Sequence, residues 1–259
     1  MLSRVQEIDQ MFILEELVPE KIYANHTALD KIDRLLRVSK NKNPTEWDNG
    51  DTSKTRVIFL NCRSMKNKFE NIKADHNLRQ GDLIMLTETW LDEDQNSECF
   101  MLPDFESNMN NGGRGKGIAA YYNKKFTHKT DIKMNGISIS KMESEEMNVI
   151  GVYRSQEGDL EDLIKILETL IDDTKTTIIG GDLNVCVLRA PNNIVALSLK
   201  ERGFLQIVKN ATHIDGGLLD HVYIRSENRF AWVIEEFPKY YSDHDGIGIT
   251  LWRNDCDPN

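Results

Sequence analysis

From Arg56 onward the chain alternates short apolar runs with polar, turn-forming stretches. Val57–Leu60, Asp82–Thr87, Gly117–Tyr122 and Met147–Tyr153 read as strands, the last rich in β-branched and aromatic residues. Thr176–Ile179, Leu219–Ile224, Ala231–Glu235 and Gly246–Trp252 complete the predicted set. The clearest helix is Asp159–Asp172, where Leu160, Leu163, Ile164, Leu167, Leu170 and Ile171 recur at helical spacing. Lys66–Leu78 also fits a helix, as does Ile194–Arg202, which stops at Gly203. Many short strands with a few interposed helices predict an α/β (α+β) fold, a two-sheet sandwich with helices outside.

The first 50 residues differ. Up to Lys40 the pattern is helical or mixed, and Asn41-Lys42-Asn43-Pro44 and Asp48-Asn49-Gly50-Asp51 then form a polar linker. The expected division is therefore residues 1–50 and a main domain over 51–259. A length of 259 residues suits one large domain with a short helical appendage. No run approaches the roughly 18 apolar residues needed to span a bilayer, and no signal-peptide pattern opens the chain. The expectation is an intracellular protein, nuclear or cytoplasmic, with no membrane partner. Cys62, Cys99, Cys186 and Cys256 are scattered without metal-ligand spacing and read as reduced thiols.

The candidate chemistry lies at the strand ends. Val57–Leu60 runs into Asn61, and Asp82–Thr87 into Glu88 of Thr-Glu-Thr-Trp. Met147–Val152 ends at Tyr153-Arg154-Ser155, and Thr176–Ile179 at Gly180-Gly181-Asp182-Leu183-Asn184. Leu219-Asp220-His221 and Ser242-Asp243-His244 follow. Each alone is most often a turn or capping residue. Together, in this order and each beside an apolar strand, they fit phosphodiester hydrolysis. Mg²⁺, or Mn²⁺ in its place, takes a few hard oxygen ligands, which Glu88, Asp243 and the amide of Asn61 can supply. His244 is a natural general base, oriented by a carboxylate such as Asp220. Tyr153 and Asn184 can donate to a pentacovalent phosphate, and Asp182 can position water or protonate the leaving group.

At these residues the chain resembles the endonuclease/exonuclease/phosphatase family, which includes apurinic endonucleases and the endonucleases of LINE-type retrotransposons. The marks are Asn61 in Leu-Asn-Cys-Arg-Ser-Met, Glu88, Asp182 and Asn184 in Gly-Gly-Asp-Leu-Asn, Asp220, and Asp243-His244. The resemblance spans roughly residues 56–252. It implies a four-layered sandwich of two mostly antiparallel sheets flanked by helices, with the site at one edge of the paired sheets. It also implies the roles above, with Asn61, Glu88 and Asp243 as metal ligands of a divalent-metal-dependent enzyme. A monomer is expected, and the helicase-like segment of residues 1–47 points to DNA as its substrate. The Asn-x-Arg-Ser-Met opening is closest to the retroelement branch, where a Thr before the Asp220-type residue often touches substrate. Thr212 is the candidate for that role, with Arg154 and with Arg114 of Gly112-Gly113-Arg114-Gly115-Lys116-Gly117 as further phosphate contacts.

Residues 1–47 resemble the C-terminal end of Pif-type helicases, on Leu2-Ser3-Arg4-Val5-Gln6 and the helix-forming Leu29–Arg37. With no GxxxxGK[ST] in the chain, ATP binding is not expected. The combination resembles the helicase–endonuclease polyproteins of Helitron-like transposable elements. A net charge of −10, from 32 basic and 42 acidic residues, argues against tight metal-independent DNA binding. Two other readings stay open: hydrolysis of RNA or a small phosphoester by the same groups, and a catalytically inactive transposon remnant.

Overall fold

The computed structural model describes residues 53–226 and 229–254. The helicase-like segment lies outside the described residues. Among the described residues, twelve strands form two six-stranded sheets. The first sheet contains β1 (Lys54–Asn61), β2 (Leu83–Thr87), β3 (Glu106–Asn110), β4 (Ile118–Tyr122), β11 (Phe230–Phe237) and β12 (Gly246–Arg253), in the order β11-β12-β1-β2-β4-β3. The second contains β5 (Thr127–Met134), β6 (Ile137–Glu143), β7 (Met147–Arg154), β8 (Thr176–Asp182), β9 (Leu205–Gln206) and β10 (Asp220–Arg225), in the order β5-β6-β7-β8-β10-β9.

Each sheet has one parallel pair at its centre, β1 with β2 and β7 with β8, and is antiparallel elsewhere. A parallel pair requires a crossover, and helices supply both. Between β1 and β2 lie α1 (Met65–Ala74) and α2 (His76–Arg79); between β7 and β8 lies α3 (Leu160–Leu170). A further helix, α4 (Ile194–Glu201), follows β8. The single helix expected over residues 66–78 is two. Asp75 turns extended (φ −73°, ψ 107°), and its carboxylate accepts the Asn77 and Leu78 amides to start α2. Asp159 caps α3 in the same way, accepting the amides of Glu161 and Asp162.

Alternation along the central strands creates the layers. Val57 and Phe59 of β1 face the other sheet, with Leu83 and Met85 of β2, Val149 of β7 and Ile178 of β8. Ile58, Leu60, Ile84 and Leu86 face outward onto Met65, Phe69, Ile72 and Leu78 of the first helical layer. Ile150, Val152 and Ile179 likewise meet Leu163, Leu167, Leu170, Val195 and Leu199. The result is the expected four-layered sandwich. Central strands buried on both faces read as continuous apolar runs, which makes them visible in the sequence.

Two glycines set the spacing between the sheets. A Cβ on Gly180 would lie 2.6 Å from the Phe59 ring, and one on Gly151 would overlap the Met85 methyl. Their absence of side chain lets β7 and β8 approach β1 and β2 directly. The ends of these four strands therefore converge. Among the described residues no helix is long and apolar enough to cross a membrane.

Candidate active site

The inward parity that builds the core continues one step past it. On β1 the sequence Val57, Phe59, Asn61 places a polar side chain at the next inward position. Ile178, Gly180 and Asp182 do the same on β8, and Val149, Gly151 and Tyr153 on β7. Ladder register then aligns them: Tyr153 sits opposite Asp182, and Asp182 opposite Asp220. From the facing sheet, Asn61 Nδ2 donates to Asp182 Oδ2 (2.8 Å) and to Glu88 Oε1 (3.0 Å). Asn61 thus ties the two sheets together between two carboxylates. Its Oδ1 accepts the backbone N–H of Arg63 (3.0 Å).

The loops carrying these groups are conformationally restricted. Arg63, Ser64, Glu88, Trp90 and Asn184 all take the left-handed backbone region, with φ between 44° and 85°. Such conformations cost energy in non-glycine residues and persist where surrounding bonds enforce them. Here Cys62 and Ser64 donate to the carbonyls of Thr87 and Glu88 (3.0 and 2.8 Å), locking the two loops to each other. Trp90 Nε1 donates to Glu88 Oε2 (3.1 Å), and Arg114 lies over the Trp90 ring, 5.7 Å from its centroid. Arg114 itself is exposed.

On the other side, His244 Nδ1 meets Asp220 Oδ2 at 2.7 Å, both residues being buried. Burial pulls the imidazole pKa down, but the charge and hydrogen bond of Asp220, with Asp182 and Glu88 nearby, outweigh it and lift it to about 9. With Nδ1 engaged, Nε2 is the ring nitrogen available for proton transfer. Asp182 is shifted upward, first by burial and then by Asp220, against the opposing effects of His244, the Asn184 N–H and Asn61. Tyr153 is also shifted upward by burial and by Glu88 and Asp182, so its hydroxyl keeps its proton. Ligand-capable atoms of Asp182, Asp220 and His244 all lie within 4.8 Å of one another.

Three predicted residues take positions that the sequence does not specify. Thr212 is fully buried, and its Oγ1 donates to Asp220 Oδ2 (2.7 Å) while accepting the amides of Leu219 and Asp220 (both 3.2 Å). It orients Asp220. The Arg154 guanidinium is buried among carbonyls, donating to Leu183 (2.7 Å), Gly158 (2.6 Å), Ser155 (3.0 Å) and Asn184 (3.2 Å). It braces the loop after β8. Asn184 Nδ2 donates to the Arg154 carbonyl (2.8 Å), and its backbone N–H to Asp182 Oδ1 (2.8 Å).

Asp243 and its surroundings test whether a divalent cation fits. Its Oδ1 is buried with no hydrogen-bond partner, whereas Oδ2 is ion-paired with Arg63 and lies 3.5 Å from His213 Nε2. A buried, unpartnered carboxylate oxygen next to the Asn61–Glu88 loops is the kind of hard donor a cation satisfies. Ser242 fixes this segment, donating to the Asn61 carbonyl (2.7 Å) and accepting the His244 N–H (3.1 Å). Asp243 therefore offers a hard oxygen ligand, and its ligand-capable oxygen lies with the ligand-capable nitrogens of His213 and His244 within 4.8 Å of one another. Both oxygens of Glu88, by contrast, accept from Asn61 and Trp90. Asn61 turns its nitrogen, rather than its oxygen, towards the carboxylates. Sequence reasoning misses Ser242, Trp90, Arg63 and His213 as site residues. His213 packs edge-on against His244, with ring centroids 4.7 Å apart and a β-bridge between the two residues. Ser242, Trp90 and Arg63 stand inside or beside recognised motifs and His213 directly follows Thr212, but the approach of Arg63 and His213 to Asp243 comes from tertiary folding.

Residues 58–244 match the Endonuclease/Exonuclease/phosphatase family. The chain belongs to that family. Solved structures with the same fold include an AP endonuclease from Archaeoglobus fulgidus, at 14% identity and TM-score 0.59, covering 77% of this chain and 99% of that one. Another is a variant of the 3′ phosphatase NExo from Neisseria, bound to a product DNA hairpin, at 12% identity and TM-score 0.59, covering 75% and 98% of the two chains. Humanized D. rerio TDP2 matches at 12% identity and TM-score 0.57, covering 77% and 99%. No curated protein matches the chain. Family membership makes it a phosphodiesterase- or nuclease-like hydrolase scaffold for which metal-dependent chemistry is the family pattern.

Proposed function

We propose that this chain is a divalent-metal-dependent DNA endonuclease, cleaving by in-line attack of water on a backbone phosphodiester. The observation that carries this reading is the buried Asp220–His244 pair beside a second buried carboxylate, Asp182, within 4.8 Å. A divalent cation, Mg²⁺ or Mn²⁺, held at Glu88 and Asp243 with the Asn61 amide beside them, would polarise the phosphoryl oxygen and stabilise charge on the leaving oxygen.

The chain supplies the rest. His244 in its neutral form, whose share grows as pH rises towards about 9, takes the water proton at Nε2, and Asp220, steadied by Thr212, stabilises the imidazolium. The upward shift of Asp182 suits it to carry a proton to the departing oxygen. Tyr153, kept protonated by burial, donates to the phosphoryl oxygens together with Asn184. Arg114, fixed on Trp90 at the rim, contacts the flanking backbone. Asn61 keeps Glu88 and Asp182 apart while holding both.

DNA as the substrate class is supported by the DNA hairpin in the Neisseria relative and by the helicase-like Leu2-Ser3-Arg4 segment. The same segment supports an origin in a transposable element. The chain is acidic, so its DNA affinity without metal is expected to be modest. A direct test offers the full chain labelled duplex DNA, RNA of the same sequence, and inositol polyphosphates, each with Mg²⁺. Internal cuts in DNA with turnover at least about 10-fold above the others are expected, since a built site separates such substrates by about 1.4 kcal/mol or more. Preferential release of phosphate from the small esters would overturn the DNA assignment and leave the chemistry standing.

A further inference from the structure

The Arg63 side chain has no part in the chemistry above, yet it lies against one of the proposed metal ligands. Its backbone is pinned in a left-handed turn (φ 44°, then 85° at Ser64) by bonds to Asn61 Oδ1 and the Glu88 carbonyl. Its guanidinium is ion-paired with Asp243 Oδ2, which His213 also approaches at 3.5 Å. The two partners are unequal. The Arg63 side chain is 54% exposed and the Asp243 side chain 13%, so the arginine can swing into water while the carboxylate stays.

We infer that Arg63 is a resident counter-cation of Asp243 that opposes divalent-metal binding there and, once displaced, holds the substrate phosphate. This rests on the reading of Asp243 as a metal ligand. The argument is electrostatic. Two cations sharing one carboxylate within a few ångströms repel each other, so whatever strengthens one weakens the other. A released guanidinium on a pinned backbone stays within side-chain reach of the site, and its planar fork matches two phosphate oxygens. Metal and substrate would then bind cooperatively, the phosphate taking the arginine that the metal evicts.

The test is Mn²⁺ binding to the full chain, followed by electron paramagnetic resonance of the free ion, for wild type, Arg63→Gln, Asp243→Asn and the double variant. Arg63→Gln is expected to tighten Mn²⁺ binding on the order of 10-fold, the usual size of such couplings. It should have no effect when Asp243 is already Asn. In steady-state assays on an oligonucleotide, Arg63→Gln should raise KM with little change in kcat, and Arg63→Lys should retain weak metal binding but lose part of the substrate affinity. Unchanged Mn²⁺ affinity in Arg63→Gln, alongside weakened affinity in Asp243→Asn, overturns the counter-cation role and leaves the metal site intact. If Asp243→Asn leaves Mn²⁺ binding as in wild type, the metal assignment falls and the Arg63 role with it.

Discussion

His244→Ala is expected to lower kcat by about 10²- to 10⁴-fold, the range for a lost general base, with KM nearly unchanged. The imidazole makes one hydrogen bond that fixes its orientation, to Asp220, and Asp220 in turn is held by Thr212. Nothing else among the described residues duplicates this relay. His213 lies beside it, but its own pKa is lowered by burial and by His244, and its Nε2 faces Asp243. The neighbouring pair also affects stability. Because the His244 pKa is raised to about 9, the pairing with Asp220 is fully present below about pH 6.5 and lost as pH rises through 9. The alanine variant should therefore lose more stability at about pH 6 than at about pH 9.5. Single-turnover kinetics and denaturation at both pH values measure the two effects. Activity within about 5-fold of wild type, a factor worth only about 1 kcal/mol, would remove His244 from the chemistry.

Glu88→Gln should produce the second large effect. The substitution preserves shape, but Asn61 and Trp90 donate to different carboxylate oxygens, so only one of them keeps an acceptor, and the carboxylate charge is lost. Removing an outer partner of a metal ligand typically costs about 10- to 100-fold in affinity, and losing a ligand charge should cost more. Mn²⁺ titration by calorimetry and cleavage at saturating metal separate binding from turnover. Both are expected to fall, turnover partly recovering at high metal concentration. Full wild-type behaviour at low metal would place the ligand elsewhere, at the Asp182–Asp220–His244 cluster in particular.

Much of this site is readable in the sequence because one periodicity governs both core and chemistry. Phe59 and Asn61, or Ile178 and Asp182, differ only in how far along the same inward-facing row they stand. The central strands, buried on both faces, are legible for the same reason. Of the edge strands, β11 is anticipated as Ala231–Glu235, but β3 and β5 are not. β3 (ESNMN) is polar, and β5 alternates exposed with half-buried positions over Thr127–Met134, too weakly apolar to stand out. The β5–β6 hairpin has a usable signal in Asn135-Gly136, both left-handed at φ 42° and 81°. The strand expected over Thr176–Ile179 continues to Asp182 because Gly180 and Gly181 lie within it instead of turning it. At Gly181 a Cβ would overlap the Val152 carbonyl, so the residue marks close packing.

The parts of the site that escape the sequence depend on tertiary contact. Thr212, expected at the substrate, sits behind Asp220 because its hydroxyl meets three polar groups of its own loop. Arg154 follows Tyr153 by one residue and so faces the opposite side of the sheet, where carbonyls consume its donors. No spacing rule links Arg63 or His213 to Asp243, which lies 180 residues from the arginine in sequence.

The central claim is metal-dependent cleavage of DNA, and relaxation of supercoiled plasmid tests it most directly. Folded full-length chain, incubated with plasmid in Mg²⁺ and in EDTA beside Asp243→Ala, should convert it to open circles only with metal and only with Asp243 present. Plasmid left supercoiled by well-folded wild type in Mg²⁺ and in Mn²⁺ would contradict the account.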